Sequence, residues 1–235
     1  MQYFLIFENY IGYFSNTALK DISNFGNYFI KRKKKIYLPN GLPLLFSHQI
    51  DNIKKNQELT LLYLGSKNFH KGFDNSLKLV NFIQRKFPNK KITAYFVGKE
   101  KFDTQKIIDK TDLNNSVNFI FLDYVNNDTV IELYSKSHFL LFLSKNEGFG
   151  LPILEAINYQ CVPILSDLEI FREILNIKNY SLFFKDSNFN EISKNIQNLI
   201  NNEKLNQSLL KLLNDVLEKN KNNFKICSKN LIDLI

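Results

Sequence analysis

FLLFLSKNEGFGLPILEAINYQCVPIL, residues 139–165, decides the fold. Phe139–Leu143 is an apolar run too short for a helix and reads as a buried strand. Pro152 marks the first turn of a helix over Pro152–Tyr159, a position where a missing N–H costs nothing. Val162–Leu165 is a second short apolar run. Two buried strands joined by one helix form a parallel unit, because parallel neighbours need a crossover.

The same alternation runs outward in both directions. Upstream, strands are predicted over Leu61–Leu64, Ile92–Val97 and Val117–Leu122, with helices over Ser76–Phe87, Thr104–Lys110 and Asp128–Ser135 between them. Downstream lie a helix over Ile170–Leu175 and a strand over Leu182–Phe184. Leu77, Val80, Phe82 and Ile83 show the helical spacing of the intervening segments. The fold class is therefore α/β, a Rossmann-like parallel sheet with helices on both faces and a helical C-terminus. Past Asn188, Leu209, Leu210, Leu212, Leu213 and Leu217 read as one apolar stripe. The first fifty residues fit a different unit: strands over Tyr3–Phe7, Tyr10–Phe14 and Ile36–Leu38, and a helix over Thr17–Ile30. Pro39-Asn40-Gly41 is a turn, and Leu42–Glu58 reads as a connection. The expected division is 1–58, 59–203 and 204–235.

Composition sets outer bounds. A 235-residue chain with 44% hydrophobic and 23% charged residues is an ordinary globular protein, not a disordered one. The net charge of +8 suits anionic partners, but Lys, Asn, Ile and Phe are abundant together, as in chains from AT-rich genomes. The run Lys31–Lys35 reads as a solvated stretch, and no motif supports nucleic-acid binding. Cys161 and Cys227 form no CxxC pair, and His48, His70 and His138 have no metal-ligand spacing. Met1–Phe14 lacks a basic leader region and contains Glu8. No run approaches the roughly 20 apolar residues of a membrane span. The expectation is a soluble, cytoplasmic chain, at most peripheral to a membrane.

Ligands of open parallel sheets bind beyond the carboxyl ends of the strands. Two such ends are unusual here. Gly65-Ser66-Lys67-Asn68-Phe69-His70-Lys71-Gly72 has glycine at both ends and two lysines, which suits a diphosphate; taken alone, a Lys-rich loop is usually just a solvated one. Glu147-Gly148-Phe149-Gly150-Leu151 leads into a helix N-terminus, where free N–H groups and the helix dipole favour an anion. Glu155 is expected in the first helical turn, facing the same crevice as Glu147. As an isolated acid it would merely complement the helix dipole, worth about 0.3–1 kcal/mol. Two carboxylates flanking an anion site instead suit a ligand with phosphates in the middle and hydroxyls at both ends, as in a nucleotide-sugar.

Glu147 and Glu155, seven residues apart with Gly-Phe-Gly-Leu-Pro between, resemble the Glu-x7-Glu signature of the family 4 glycosyltransferases, retaining enzymes of the GT-B fold. Phe119–Tyr134 resembles the segment leading to the nucleotide base, residues 161–167 the strand after the signature helix, and Lys71-Gly72 the pair that meets the diphosphate. Glu173 falls where a further acid often stands. Ser15 and Pro39-Asn40-Gly41 resemble the stretch between the two GT-B domains, so the resemblance covers roughly residues 10–205.

The resemblance implies a donor site for an NDP-sugar and no other cofactor. Lys71 would neutralise the diphosphate with N–H groups around Gly148, Phe149, Gly150 and Leu151. Glu147 would hold the sugar, Glu155 the ribose, and Tyr124 and Val125 would flank the base. Glu147 and Lys71 would carry the catalytic roles, and transfer would proceed with retention and without a metal; no Asp-x-Asp triplet occurs. Ser66 stands where the family commonly has Arg, with Lys67 or His70 as substitutes of poorer geometry. Asp123 and Gln160 replace usual glycines. The resemblance further implies that only the tail of the first, acceptor-binding domain is present, so a separate acceptor domain is an expected partner.

Two other readings stay open: a non-catalytic nucleotide-sugar-binding module or remnant, and an NAD-dependent dehydrogenase. Gly148-Phe149-Gly150 is a partial dinucleotide fingerprint, but Ile153 takes the place of its third glycine.

Overall fold

The computed structural model describes residues 4–6, 10–24, 32–41, 53–185 and 188–232. Parts of the predicted first strand and first helix, the connection from 42 to 52, and His48 lie outside them.

Six strands form the main sheet: β4 (Leu59–Leu64), β5 (Ile92–Val97), β6 (Val117–Leu122), β7 (Phe139–Phe142), β8 (Val162–Ser166) and β9 (Phe183–Phe184). All pair in parallel in the order β6-β5-β4-β7-β8-β9. Renumbered within the sheet this is 3-2-1-4-5-6, the doubly wound order whose direction reverses between its first and fourth strands. The central strands are mostly apolar because both faces are covered; β4 and β7 are buried along almost their whole length.

The covering helices are α2 (Phe73–Lys86), α3 (Thr104–Lys110), α4 (Asn127–Lys136), α5 (Leu151–Asn158), α6 (Glu169–Leu175) and α7 (Phe189–Asn201). One core joins them to the sheet, from Leu61, Phe73 and Phe96 through Leu140, Ile153 and Phe171 to Ile192 and Ile196. The parallel α/β class expected from the sequence is present.

The N-terminal part makes a separate three-stranded sheet. β1 (Phe4–Ile6) runs antiparallel to β2 (Tyr10–Tyr13), and β2 runs parallel to β3 (Lys34–Tyr37). α1 (Asn16–Asn24) follows β2 and packs on α6. Glu173 of α6 holds the start of α1, accepting from Asn16 N at 2.6 Å and from Thr17 N and Oγ1 at 3.0 and 2.9 Å.

α8 (Glu203–Lys221) lies on α5, and α9 (Asn223–Ile232) returns to the small sheet. There Asn223 Nδ2 donates to Asn40 O at 2.9 Å and Asn230 Nδ2 to Tyr37 O at 2.7 Å. The leucine stripe of α8 is narrower than its sequence predicts. Leu213, Val216 and Leu217 are buried and Leu209 and Leu210 half-covered, but Leu212 is 49% exposed. Leu213, Val216 and Leu217 share one side of the helix at i, i+3 and i+4, and Leu212 falls at the edge of that side.

Candidate functional site

The sheet order reverses between β4 and β7, and the loops that follow these two strands are the two singled out in the sequence. The first loop turns tightly. Asn68 accepts from Lys71 N at 3.0 Å and caps a 3-10 turn over Phe69–Lys71, which Gly72 ends in the left-handed region at φ 69°. A Cβ on Gly72 would lie 1.9 Å from the Leu143 carbonyl oxygen at the end of β7. Only glycine permits this approach. Lys145 N donates to His70 O at 2.9 Å and stitches the loops together a second time.

This stitching carries Lys71 over the second loop. Its Nζ meets Glu147 Oε1 at 2.6 Å, with 29% of the Lys71 side chain and 11% of the Glu147 side chain exposed. Behind Glu147, Gly150 (φ 93°) opens α5, with Pro152 in the first turn. Among the described residues no protein acceptor is bonded to the N–H of Gly148, Phe149, Gly150 or Leu151. A cation, a carboxylate and a group of free donors at a helix N-terminus thus converge on one crevice. That set can neutralise a phosphate and accept from hydroxyls.

Glu155 stands one turn deeper than expected. α5 begins at Leu151, its first turn holds no acid, and Glu155 is in the second. Its Oε2 accepts from Tyr134 Oη of α4 at 3.0 Å. Burial raises the Glu155 pKa, and the Tyr134 hydroxyl pulls in the opposite direction.

The remaining predicted residues are spread along the rim. Ser66 uses its carbonyl to accept from Tyr63 Oη at 2.7 Å. Lys67 is buried, and its ammonium faces Glu100 at 3.9 Å. Tyr124 is 85% exposed in the loop after β6, whereas Val125 packs partly against the core. Glu173 is spent on the start of α1. Two residues near the crevice escape a reading of the sequence. Ser144, buried at the end of β7, has a hydroxyl with no hydrogen-bond partner among the described residues. Tyr134 is buried under Glu155. Position after a central strand could have pointed to Ser144; nothing local pointed to Tyr134, whose partner is 21 residues away.

Cavity size would have pointed elsewhere. An open cavity of about 690 Å³, lined in part by Glu58, Lys90, Lys91 and Lys136, lies at the opposite, amino-terminal ends of the strands. The sheet reversal marks the crevice more reliably, because two loops diverge there whatever the volume.

The family model for glycosyl transferases group 1 matches residues 47–213, spanning both crevice loops. The chain belongs to that family. It has the GT-B donor-domain fold, as its family 4 resemblance implied. Relatives include the serotype-specific mannosyltransferase WbdA of Escherichia coli, 25% identical over 59% of this chain and 17% of WbdA. The capsular polysaccharide biosynthesis glycosyltransferase CapH of Staphylococcus aureus is 29% identical over 78% of this chain and 48% of CapH. Among solved structures, a point mutant of S. aureus TarM in complex with fondaparinux, α-GlcNAc-glycerol and UDP superposes with a TM-score of 0.73. That match has 16% identity and covers 95% of this chain and 43% of TarM. The chain thus spans less than half the length of each of these three proteins. No described helix is long and apolar enough to cross a membrane.

Proposed function

We propose that this glycosyltransferase-family chain binds an NDP-sugar in the β4–β7 crevice and supplies the donor half of a sugar transfer that proceeds with retention. The observation that carries the reading is the Lys71–Glu147 pair, set over the unbonded N–H groups of residues 148–151.

A bound diphosphate would take Lys71 from Glu147 and add the helix N-terminus as a second source of positive charge. Charge builds on the departing diphosphate during transfer, so fixed donors aimed there lower the barrier. Glu147, released from Lys71, would accept from the sugar hydroxyls and Glu155 from the ribose. Tyr124 and Val125 would border the base; TarM, which shares the fold, is itself found in complex with UDP. Lys67 would have to leave Glu100 to assist.

No metal enters this scheme. The acceptor would be a glycan or a lipid-linked acceptor, held by an acceptor-binding domain. Membrane contact, if the complete assembly makes it, would be peripheral.

The second reading is a nucleotide-sugar-binding module without turnover, favoured by Ser66 standing where the family resemblance leads one to expect Arg. Calorimetry with UDP, GDP and ADP, without added metal and with NAD as control, tests both. Saturable binding of one diphosphate, weakened by about 1.5–3 kcal/mol in Lys71→Ala, is expected for loss of a charged hydrogen bond. NAD binding, or diphosphate affinity indifferent to Lys71→Ala, would refute the assignment. Sugar transfer after addition of an acceptor domain separates the enzyme from the module.

A further inference from the structure

Tyr134 occupies a place that the donor-site reading does not use. It is fully buried, its hydroxyl 3.0 Å from Glu155 Oε2 and 3.4 Å from Pro152 O. With a single proton to give, the phenol favours the charged and closer carboxylate.

Two further contacts pin the tyrosine. Its ring stacks on Tyr159, with centroids 6.0 Å apart and planes at 12°. Its own carbonyl accepts from Lys55 Nζ at 3.2 Å, and the same ammonium donates to Ser137 O at 2.6 Å and Tyr159 O at 2.8 Å. Lys55 therefore fastens the ends of α4 and α5 together, and Tyr134 spans them above it.

Glu155 is held by Tyr134 through one carboxylate oxygen. The bond to Tyr134 fixes one oxygen and leaves Oε1 without a protein partner among the described residues. If the carboxylate served only to satisfy a buried phenol, the nearby Pro152 carbonyl would suffice at no cost in buried charge.

We infer that Tyr134 is a positioning residue that aims Glu155 at the ribose. The inference rests on Glu155 being the ribose carboxylate. Burial raises the carboxyl pKa while the phenol lowers it. Tyr159, at the end of α5, and Cys161, at the start of β8, are the other titratable groups acting on the pair. Both are neutral near pH 7, burial pushing the Cys161 thiol up to about 12. The phenol, bonded to the carboxylate itself, favours its charged form.

The test uses the whole chain and two readouts. The first needs no ligand: side-chain ¹³C titration of Glu155 in wild type and Tyr134→Phe. Loss of the phenol is expected to raise the Glu155 pKa; an unchanged value overturns the inference. The second compares nucleoside diphosphate and inorganic pyrophosphate binding. Tyr134→Phe is expected to weaken the nucleotide about tenfold, the scale of one hydrogen bond to a charged group, and to leave pyrophosphate unchanged. In a Glu155→Gln background the same substitution is expected to have little further effect. Equal losses for both ligands, or an undiminished loss beside Glu155→Gln, would show a merely structural tyrosine. Failure of wild type to bind nucleotide would instead refute the donor-site reading, and the titration would still decide what Tyr134 does to Glu155.

Discussion

Gly72 and Gly65 sit at the two ends of one loop but are bound to it for different reasons. At Gly72 both backbone and space demand glycine, since φ is 69° and a Cβ would collide with the Leu143 carbonyl oxygen at 1.9 Å. Gly65 has φ 147°, yet a Cβ there would meet nothing nearer than 3.7 Å. Gly72→Ala is therefore expected to cost more than about 3 kcal/mol, combining left-handed strain with a backbone clash. Gly65→Ala should cost less. Urea unfolding of the two variants checks the order, and a Gly72→Ala protein as stable as Gly65→Ala would contradict the close packing of the loops. The same contact holds Lys71 beside Glu147, so diphosphate affinity should fall with stability in Gly72→Ala.

Among the elements, α4, α5 and β7 are joined at the amino-terminal ends of the strands by two half-buried bases, Lys55 and His138. Lys55 donates to three carbonyls at the ends of α4 and α5, groups left without partners by the helices themselves. Lys55→Met would strip a donor from all three and is expected to destabilise the fold by at least about 2 kcal/mol, read as a lower denaturation midpoint. His138, between α4 and β7, accepts from Thr60 N through Nδ1 at 3.2 Å, which requires that nitrogen to be unprotonated. Burial, then the charges of Lys55 and Lys90, lower its pKa to about 4. Below the unfolded value near 6.5 the unfolded chain binds a proton that the native one refuses. Stability is thus complete above about pH 6.5 and falls as the pH drops towards 4, by about 2–3 kcal/mol. Denaturation at pH 7 and 4.5 measures the fall, and His138→Asn should remove most of it.

Across the whole molecule, the small N-terminal sheet is tied to the donor domain at two places. Glu173 holds the start of α1, and Asn223 and Asn230 hold the turn at Asn40 and the end of β3. These are polar bonds between units, not a shared core, and such contacts open at modest cost. Glu173→Ala is expected to speed amide hydrogen exchange in α1 by about tenfold or more while leaving β4 and β7 protected, since a hydrogen bond to a charged group is worth about 1.5–3 kcal/mol. Equal acceleration in the main sheet would mean that the two units open together.

The sequence by itself determined the parallel sheet and the two loops that matter. Buried parallel strands must be short apolar runs, and covering helices must show helical spacing; both patterns are local. Ile92–Val97, Thr104–Lys110 and Val117–Leu122 accordingly fall where the sequence puts them. The string from Glu147 to Glu155 was equally legible, because two glycines and Pro152 specify a loop entering a helix. What only the tertiary structure decided was contact between distant segments. The strand order placed β4 beside β7, Gly72 found the Leu143 carbonyl, and Lys71 came within 2.6 Å of Glu147 across 76 residues. Glu155 shows the same division. Its position near the helix start could be read one turn too early from sequence, and its partner Tyr134 could not be read at all. Periodicity records which face a residue presents, and only the packing of α4 against α5 records what that face meets.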